Sequence, residues 1–173
     1  MTQHTSFVRI DNVDDIERLG LLTKAVSREA DRRQSELLRP LGITPSQAEV
    51  LQLLALQGPL SLGELGNLVL FEGGHPSRLV DRLVSAGLLE RTENHADRRR
   101  IDITCTARGR ELAHQATLAK AEFRTWVHAQ LRGADISETI RILGALIAGT
   151  GMEQTVAARS LHSLAENPHP PGE

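Results

Sequence analysis

Cysteine is nearly absent from this sequence: Cys105 stands alone among 173 residues. That excludes an internal disulfide framework and a cysteine-rich zinc site. Tyrosine is missing, and one tryptophan with three phenylalanines completes the aromatic set, so an aromatic-rich ligand pocket is not obvious. No apolar run is long enough to span a membrane. The N-terminus lacks the basic-then-apolar pattern of an export signal, which reads as a cytoplasmic location. No carboxylate pair, nucleophile elbow or phosphate loop in strand context appears. Gly73-Gly74 lies between expected helices and reads as a turn. The residues therefore support no enzyme and call for no cofactor. Seven histidines raise the question of a metal. His114 and His128 share a face of one expected helix but stand about 21 Å apart, too far to chelate one ion. Solvated or core histidines are the expectation, and no metal site.

What is present fits one globular domain, with 40% hydrophobic residues and enough length for a core. The net charge of −2 and a pI near 6.4 argue at first against a nucleic-acid partner. The distribution answers this. Residues 73–110 hold eight arginines and no lysine against five acids, a net +3, which leaves −5 for the remainder. Basic charge gathered on one segment is the footprint that matters for DNA. The acidic remainder limits non-specific DNA binding.

Within that segment a helix should open near His75, because Pro76 suits a first helical position, where no amide donor is needed. Leu79, Val80, Leu83 and Val84 recur at helical spacing. Ser77, Arg78, Asp81, Arg82 and Ser85 fall opposite. Gly87 ends the helix by taking the left-handed turn cheaply. Leu88 to Arg91 extends as a short strand. In the return strand Ile101, Ile103 and Cys105 alternate with Asp102 and Thr104. The hairpin tip between them carries Asp97, Arg98, Arg99 and Arg100. A helix of major-groove size beside an arginine-tipped hairpin is the shape of a DNA reader.

Upstream, residues 13–39 are helical in pattern, with Ile16, Leu19, Val26, Ala30 and Leu37 on one stripe and a stop before Pro40. This helix suits dimer contacts or an ordinary core equally. Thr44-Pro45-Ser46-Gln47 combines a capping box with proline at the first position. Ala48, Val50, Leu51, Leu53 and Leu54 follow, and Gln57-Gly58-Pro59 closes the helix. Ser61 to Glu64 is a second capping box, opening a short helix to about Val69. Two short helices and a glycine-containing turn make helix-turn-helix grammar, and the hairpin supplies a wing. Downstream, Thr106 caps a long helix to about Leu131, striped by Leu112, Ala116, Ala119, Phe123, Val127 and Leu131. Gly133-Ala134-Asp135 breaks it. Ile136, Ile140, Leu143 and Ile147 mark another helix, and Met152 to Ala165 a further short one. Residues 1–12 read as a loose arm and the Pro-rich 167–173 as disordered.

Four pieces match a known family in order and spacing: Ser77-Arg78-Leu79-Val80-Asp81-Arg82-Leu83, Gly87-Leu88-Leu89-Glu90-Arg91, Asp97-Arg98-Arg99 and Thr106-Ala107-Arg108-Gly109-Arg110. They resemble the MarR family of bacterial transcriptional regulators, over roughly Val13 to Gly149. Here Gly73-Gly74-His75-Pro76 replaces the family's Ser/Thr-rich helix start, and Cys105 its usual leucine. The resemblance implies a mainly α fold within one domain, residues 1–173: a winged helix-turn-helix with a small β-hairpin wing and a helical dimerisation region. Residues 44–106 would form the DNA-binding lobe, 13–40 and 107–149 the dimerisation region, and 150–173 a partly disordered C-terminal extension. It further implies a homodimer on double-stranded, palindromic DNA, acting as a repressor modulated by a small-molecule effector.

The expected DNA-binding residues are His75, Pro76, Ser77, Arg78 and Arg82 in the helix and Arg98, Arg99 and Arg100 in the wing. Arginine can donate twice to guanine, and serine or histidine can bond a base or a phosphate. By the resemblance Arg99 probes the minor groove and Asp97 shapes the wing, while Arg98 and Arg100 touch phosphates or stay solvated. Asp81 is expected to hold Arg78 or Arg82. Phe123, Trp126 and His128 are the candidates to line an effector crevice, with core packing the simpler reading for both rings. Two alternatives are a redox switch through Cys105 and a winged-helix module that contacts protein. Against the first, Cys105 falls on the inward alternation as a small core residue, and reactivity needs an exposed thiolate.

Overall fold

The computed structural model describes residues 13–70, 76–94, 97 and 99–166, the side chains of Val13 and of residues 161–166 excepted. The expected N-terminal arm and Pro-rich tail lie outside the described residues. The chain runs through α1 (Val13–Leu38), a 3-10 turn (Arg39–Leu41), α2 (Pro45–Gln57), α3 (Leu62–Leu68) and α4 (Pro76–Ser85). Then come β1 (Leu89–Glu93), β2 (Ile101–Cys105), α5 (Ala107–Leu131), α6 (Ser137–Ile147) and α7 (Gly151–Glu166).

The local starts and stops follow from side-chain chemistry. Thr44 Oγ1 accepts from the Gln47 amide while Gln47 Oε1 accepts from the Thr44 amide, at 3.3 and 2.9 Å. Ser61 and Glu64 repeat that reciprocal cap on α3, and Thr106 accepts from the Gly109 amide to open α5. Each pair satisfies amides that a helix start leaves without partners. Gly87, at φ +67°, turns the chain out of α4. Its neighbour Leu88 donates back to the Leu83 carbonyl, closing the helix end.

β1 and β2 pair antiparallel, from Leu89 opposite Cys105 to Glu93 opposite Ile101. Leu60 adds one bridge on the far side of β2, exchanging two backbone hydrogen bonds with Ile103. The core gathers at the root of this hairpin. Leu38 of α1, Leu51 of α2, Leu65 of α3, Val80 and Leu83 of α4, Leu89 and Ile103 are all buried there. Ala113 and Ala116 let α5 lie close against α2.

Two expectations change. The β2 alternation breaks: Ile101 is 47% exposed and Asp102 only 7%. Ile101 pairs with Glu93 at the tip end of the hairpin, beyond the core, while Asp102 is drawn in by Arg100 and Asn94. The apolar stripes of α1 and α6 are not covered within the chain. Ile16, Leu21, Leu22 and Val26 of α1 are exposed, as are Ile140, Leu143 and Leu146 of α6. α6 leans on α7, and α7 returns to pack on α3.

Candidate nucleic-acid interface

α4 is amphipathic in the expected sense. Val80 and Leu83 are buried, while Arg78, Asp81 and Arg82 are exposed and Ser77 is half-buried. Pro76 opens the helix, and His75 lies outside the described residues. Asp81 does not hold Arg78 or Arg82. Its carboxylate pairs with Arg91 of β1 at 2.6 Å, tying the helix to the wing. The adjacent Arg82 points to another side of the helix, while Arg91 reaches the carboxylate across the contact between α4 and β1.

The wing tip is built from short side chains that mimic backbone turns. The Asp97 amide donates to Asn94 Oδ1 at 3.0 Å, and the Arg99 amide donates to Asp97 Oδ1 at 3.0 Å. The Arg100 amide donates to the Asp97 carbonyl, and Asn94 donates back to the Arg100 carbonyl. Asp97 therefore orders the turn on which exposed Arg99 is presented.

Arg100 departs from its expected solvated or phosphate-binding role. Its guanidinium grips both oxygens of Glu64 in α3, at 2.6 and 3.0 Å, and donates through Nε to Asp102 at 2.7 Å. A planar guanidinium suits such two-sided pairing. Asn94 Nδ2 completes the set on the other Asp102 oxygen at 2.6 Å. The Arg100 hydrogen bond holds Asp102 below the ordinary carboxylate range. Glu64 is also held low, first by the Ser61 amide and hydroxyl and then by Arg100. From the sequence Glu64 reads as a capping residue only, and neither Asp102 nor Asn94 stands out. The available signal was Asp102 two residues from Arg100 on the same strand face.

The arginines of the basic segment thus divide. Arg91 and Arg100 are ion-paired. Arg108 and Arg110 donate to the carbonyls of Ala86 and Cys105. The side chains of Arg78, Arg82 and Arg99 have no hydrogen-bond or ion-pair partner among the described residues. Arg98 lies outside the described residues.

Phe123 and Trp126 come together on α5, their ring centroids 5.7 Å apart, and the Arg33 guanidinium covers Trp126 at 3.9 Å. With Glu36, Leu37 and Glu122 they line a crevice of about 350 Å³ between α1 and α5. His128 does not join them; it is exposed in the last turn of α5. Cys105 is 3% exposed and its thiol faces the Leu51 carbonyl at 3.5 Å. Burial pushes that thiol up to about 11, against a smaller downward pull from Arg110. This is a core position, and it removes the basis for a redox switch. Among the described residues no cluster of three metal-ligating side chains occurs, and no helix is long and apolar enough to cross a membrane.

The chain is similar to known proteins in sequence and in fold. A family model described as the MarR family matches residues 43–101, from the turn before α2 to the first residue of β2. The multiple antibiotic resistance protein MarR of Escherichia coli (strain K12) is 32% identical over 105 residues, covering 61% of this chain and 73% of the relative. The HTH-type transcriptional repressor MdtR of Bacillus subtilis (strain 168) is 30% identical over 91 residues, covering 53% and 59%. Among solved structures, a mutant E. coli MarR complexed with operator DNA superposes with a TM-score of 0.68 at 28% identity, covering 79% of this chain and 98% of that one. The S. aureus MepR–DNA complex gives 0.67 at 22% identity, covering 75% and 96%, a likeness of fold.

Proposed function

The chain belongs to the MarR family of transcriptional regulators, and from that premise we propose that it is a homodimeric repressor that reads a palindromic operator through α4 and the wing. The observation that carries this reading is the division among the arginines. Two brace the lobe by ion pairs and two bond backbone carbonyls. Arg78, Arg82 and Arg99 stay exposed without counter-charges among the described residues. Exposed cations left without protein partners are available to phosphates and base edges.

In this reading Arg78 and Arg82, with Ser77 beside them, face the major groove, where arginine can donate twice to guanine. Arg99, held out by the Asp97 turn, enters the minor groove, whose negative potential is strongest where it is narrow. Arg100 positions the wing and makes no DNA contact. A two-fold axis would set two reading helices about 34 Å apart, in successive major grooves. The exposed apolar faces of α1 and α6 support the dimer, because a monomer in water leaves them uncovered. An effector would change the spacing of the heads only by binding one spacing better than the other. The aromatic crevice at Phe123 and Trp126 is the candidate for such a molecule.

The test is a salt titration of binding to a high-affinity duplex. Wild type should bind with a steep fall in log affinity against log salt, and Arg99→Ala should weaken binding and flatten that slope by about one. A protein-contact module instead predicts binding no tighter than to random DNA and no effect of Arg99→Ala.

A further inference from the structure

A second crevice among the described residues is neither the aromatic one nor part of the reading surface. It measures about 440 Å³ and lies between α2, α5 and α7, within the range of small-molecule sites. Its walls carry Arg110, Lys120, Arg124 and Arg159, with Glu49 as the one acid. This is a net +3 in a chain whose total is −2. Arg159 pairs with Glu49. Arg110, Lys120 and Arg124 have no carboxylate within salt-bridge distance among the described residues.

Lys120 is the telling member. It is half-buried, and its ammonium donates to the neutral amide oxygen of Gln52 at 2.5 Å. Burial lowers its pKa; Glu49 works against that, while Arg159 and Arg124 reinforce it. A partly desolvated ammonium among guanidinium groups is an arrangement that an anion stabilises. Gln52 and Thr117, already bonded to each other at 3.0 Å, add neutral polar groups to the same wall.

We propose that this crevice binds a compact, multiply charged anion, a carboxylate or phosphate compound with no need of an aromatic ring, and that α7 couples its occupancy to the reading helix. The coupling runs through Glu49. Its Oε1 accepts from Arg159 of α7 and from the Leu70 amide, and Leu70 lies two residues past the end of α3. The hydroxyl of Thr155, buried on α7, donates to the Asn67 carbonyl of α3. An anion that takes Arg159 as its partner withdraws that charge from Glu49. The Leu70 amide is then the remaining hydrogen-bond partner of that carboxylate among the described residues, and the hold of α7 on the reading lobe changes. By linkage, DNA must alter the anion's affinity by the factor with which the anion alters that of DNA. The coupling rests on the DNA-binding reading above; the anion site does not.

Isothermal calorimetry on the full chain tests the site without DNA, using citrate and inorganic pyrophosphate as probes against sodium chloride of matched ionic strength. The expected result is saturable binding of one probe per chain; the better of the two identifies carboxylate or phosphate chemistry. Lys120→Gln should weaken it about tenfold or more, as expected for a lost charge-assisted contact. Arg124→Gln, at an exposed position, keeps the test open if Lys120→Gln fails to fold, and should weaken binding several-fold. Arg99→Ala should leave it unchanged. Heats equal to the chloride control for both probes, or binding indifferent to Lys120→Gln and Arg124→Gln, would overturn the site. Operator affinity unmoved by a saturating probe would overturn the coupling. Probe binding by a chain that ignores DNA would leave the site standing and remove the regulatory reading instead.

Discussion

A methyl group on Gly109 would lie 2.0 Å from the Leu88 carbonyl oxygen and 3.0 Å from its carbon. Both are backbone atoms, so no side chain can swing away. The contact is where the start of α5 crosses the start of the wing, and Thr106 bonds across it to the Gly87 and Leu88 carbonyls. Gly109→Ala should therefore cost about 2–3 kcal/mol, the upper part of the overpacking range, read as an earlier thermal unfolding transition. An unchanged melting temperature would mean that α5 lifts off β1 without penalty. Cys105 gives a second test at this scale. Its thiol, buried and pushed up to about 11, should resist iodoacetamide in the native state at neutral pH, because the thiolate is the reacting form. Alkylation should become fast only when the thiol ionises near that value or the protein unfolds. At this scale the sequence was legible where partners are local. The caps at Thr44, Ser61 and Thr106 are written three residues apart. The clasp of Arg100 was not legible because Glu64 lies 36 residues away, and nothing in the spacing reveals that meeting.

Among the elements, the wing depends most on such distant partners. Arg100 joins β2 to α3 through Glu64, and Asp81 joins α4 to β1 through Arg91. Arg100→Ala should loosen the wing without removing a DNA contact. Affinity should drop while the salt slope stays within error of wild type, in contrast to the flattened slope of Arg99→Ala. A slope lowered equally by both substitutions would make Arg100 a phosphate contact. The clasp also has a pH signature. Glu64 and Asp102 are both held below the ordinary carboxylate range. Their contribution is complete above the ordinary carboxylate values and is lost as pH falls through the lowered ones. Wing amides should thus keep their exchange protection at pH 5 and lose it only in stronger acid; Arg100→Ala should remove that acid-sensitive part. The hairpin itself was legible from the strand pattern and its turn residues, and α5 from its cap and stripe. Asp102 was not, since alternation assigns a face but not a buried ion pair that overrides it.

For the whole molecule, the exposed stripes of α1 and α6 decide what the chain is as an assembly. Ile140 is 61% exposed and Leu146 64%. Periodicity marked α6 as amphipathic, yet a period states that a face is apolar and not what covers it. Within the chain α6 leans on α7. Ile140→Glu combined with Leu146→Glu should convert a dimer to a monomer in analytical ultracentrifugation, since paired carboxylates resist burial. Circular dichroism should stay helical because neither side chain serves the core of the reading lobe. A dimer that survives both substitutions would place the two-fold contact elsewhere. In the proposed reading the charge division has the same reach: the basic segment meets DNA and the acidic remainder should limit non-specific binding.

The most direct measurement is selection of the wild-type chain against a pool of random DNA duplexes, followed by sequencing of the bound fraction. The account predicts an enriched inverted repeat with half-site centres about 10 base pairs apart, with Arg78→Ala relaxing the choice of base within each half-site. A bound fraction no different in sequence from the starting pool would contradict it.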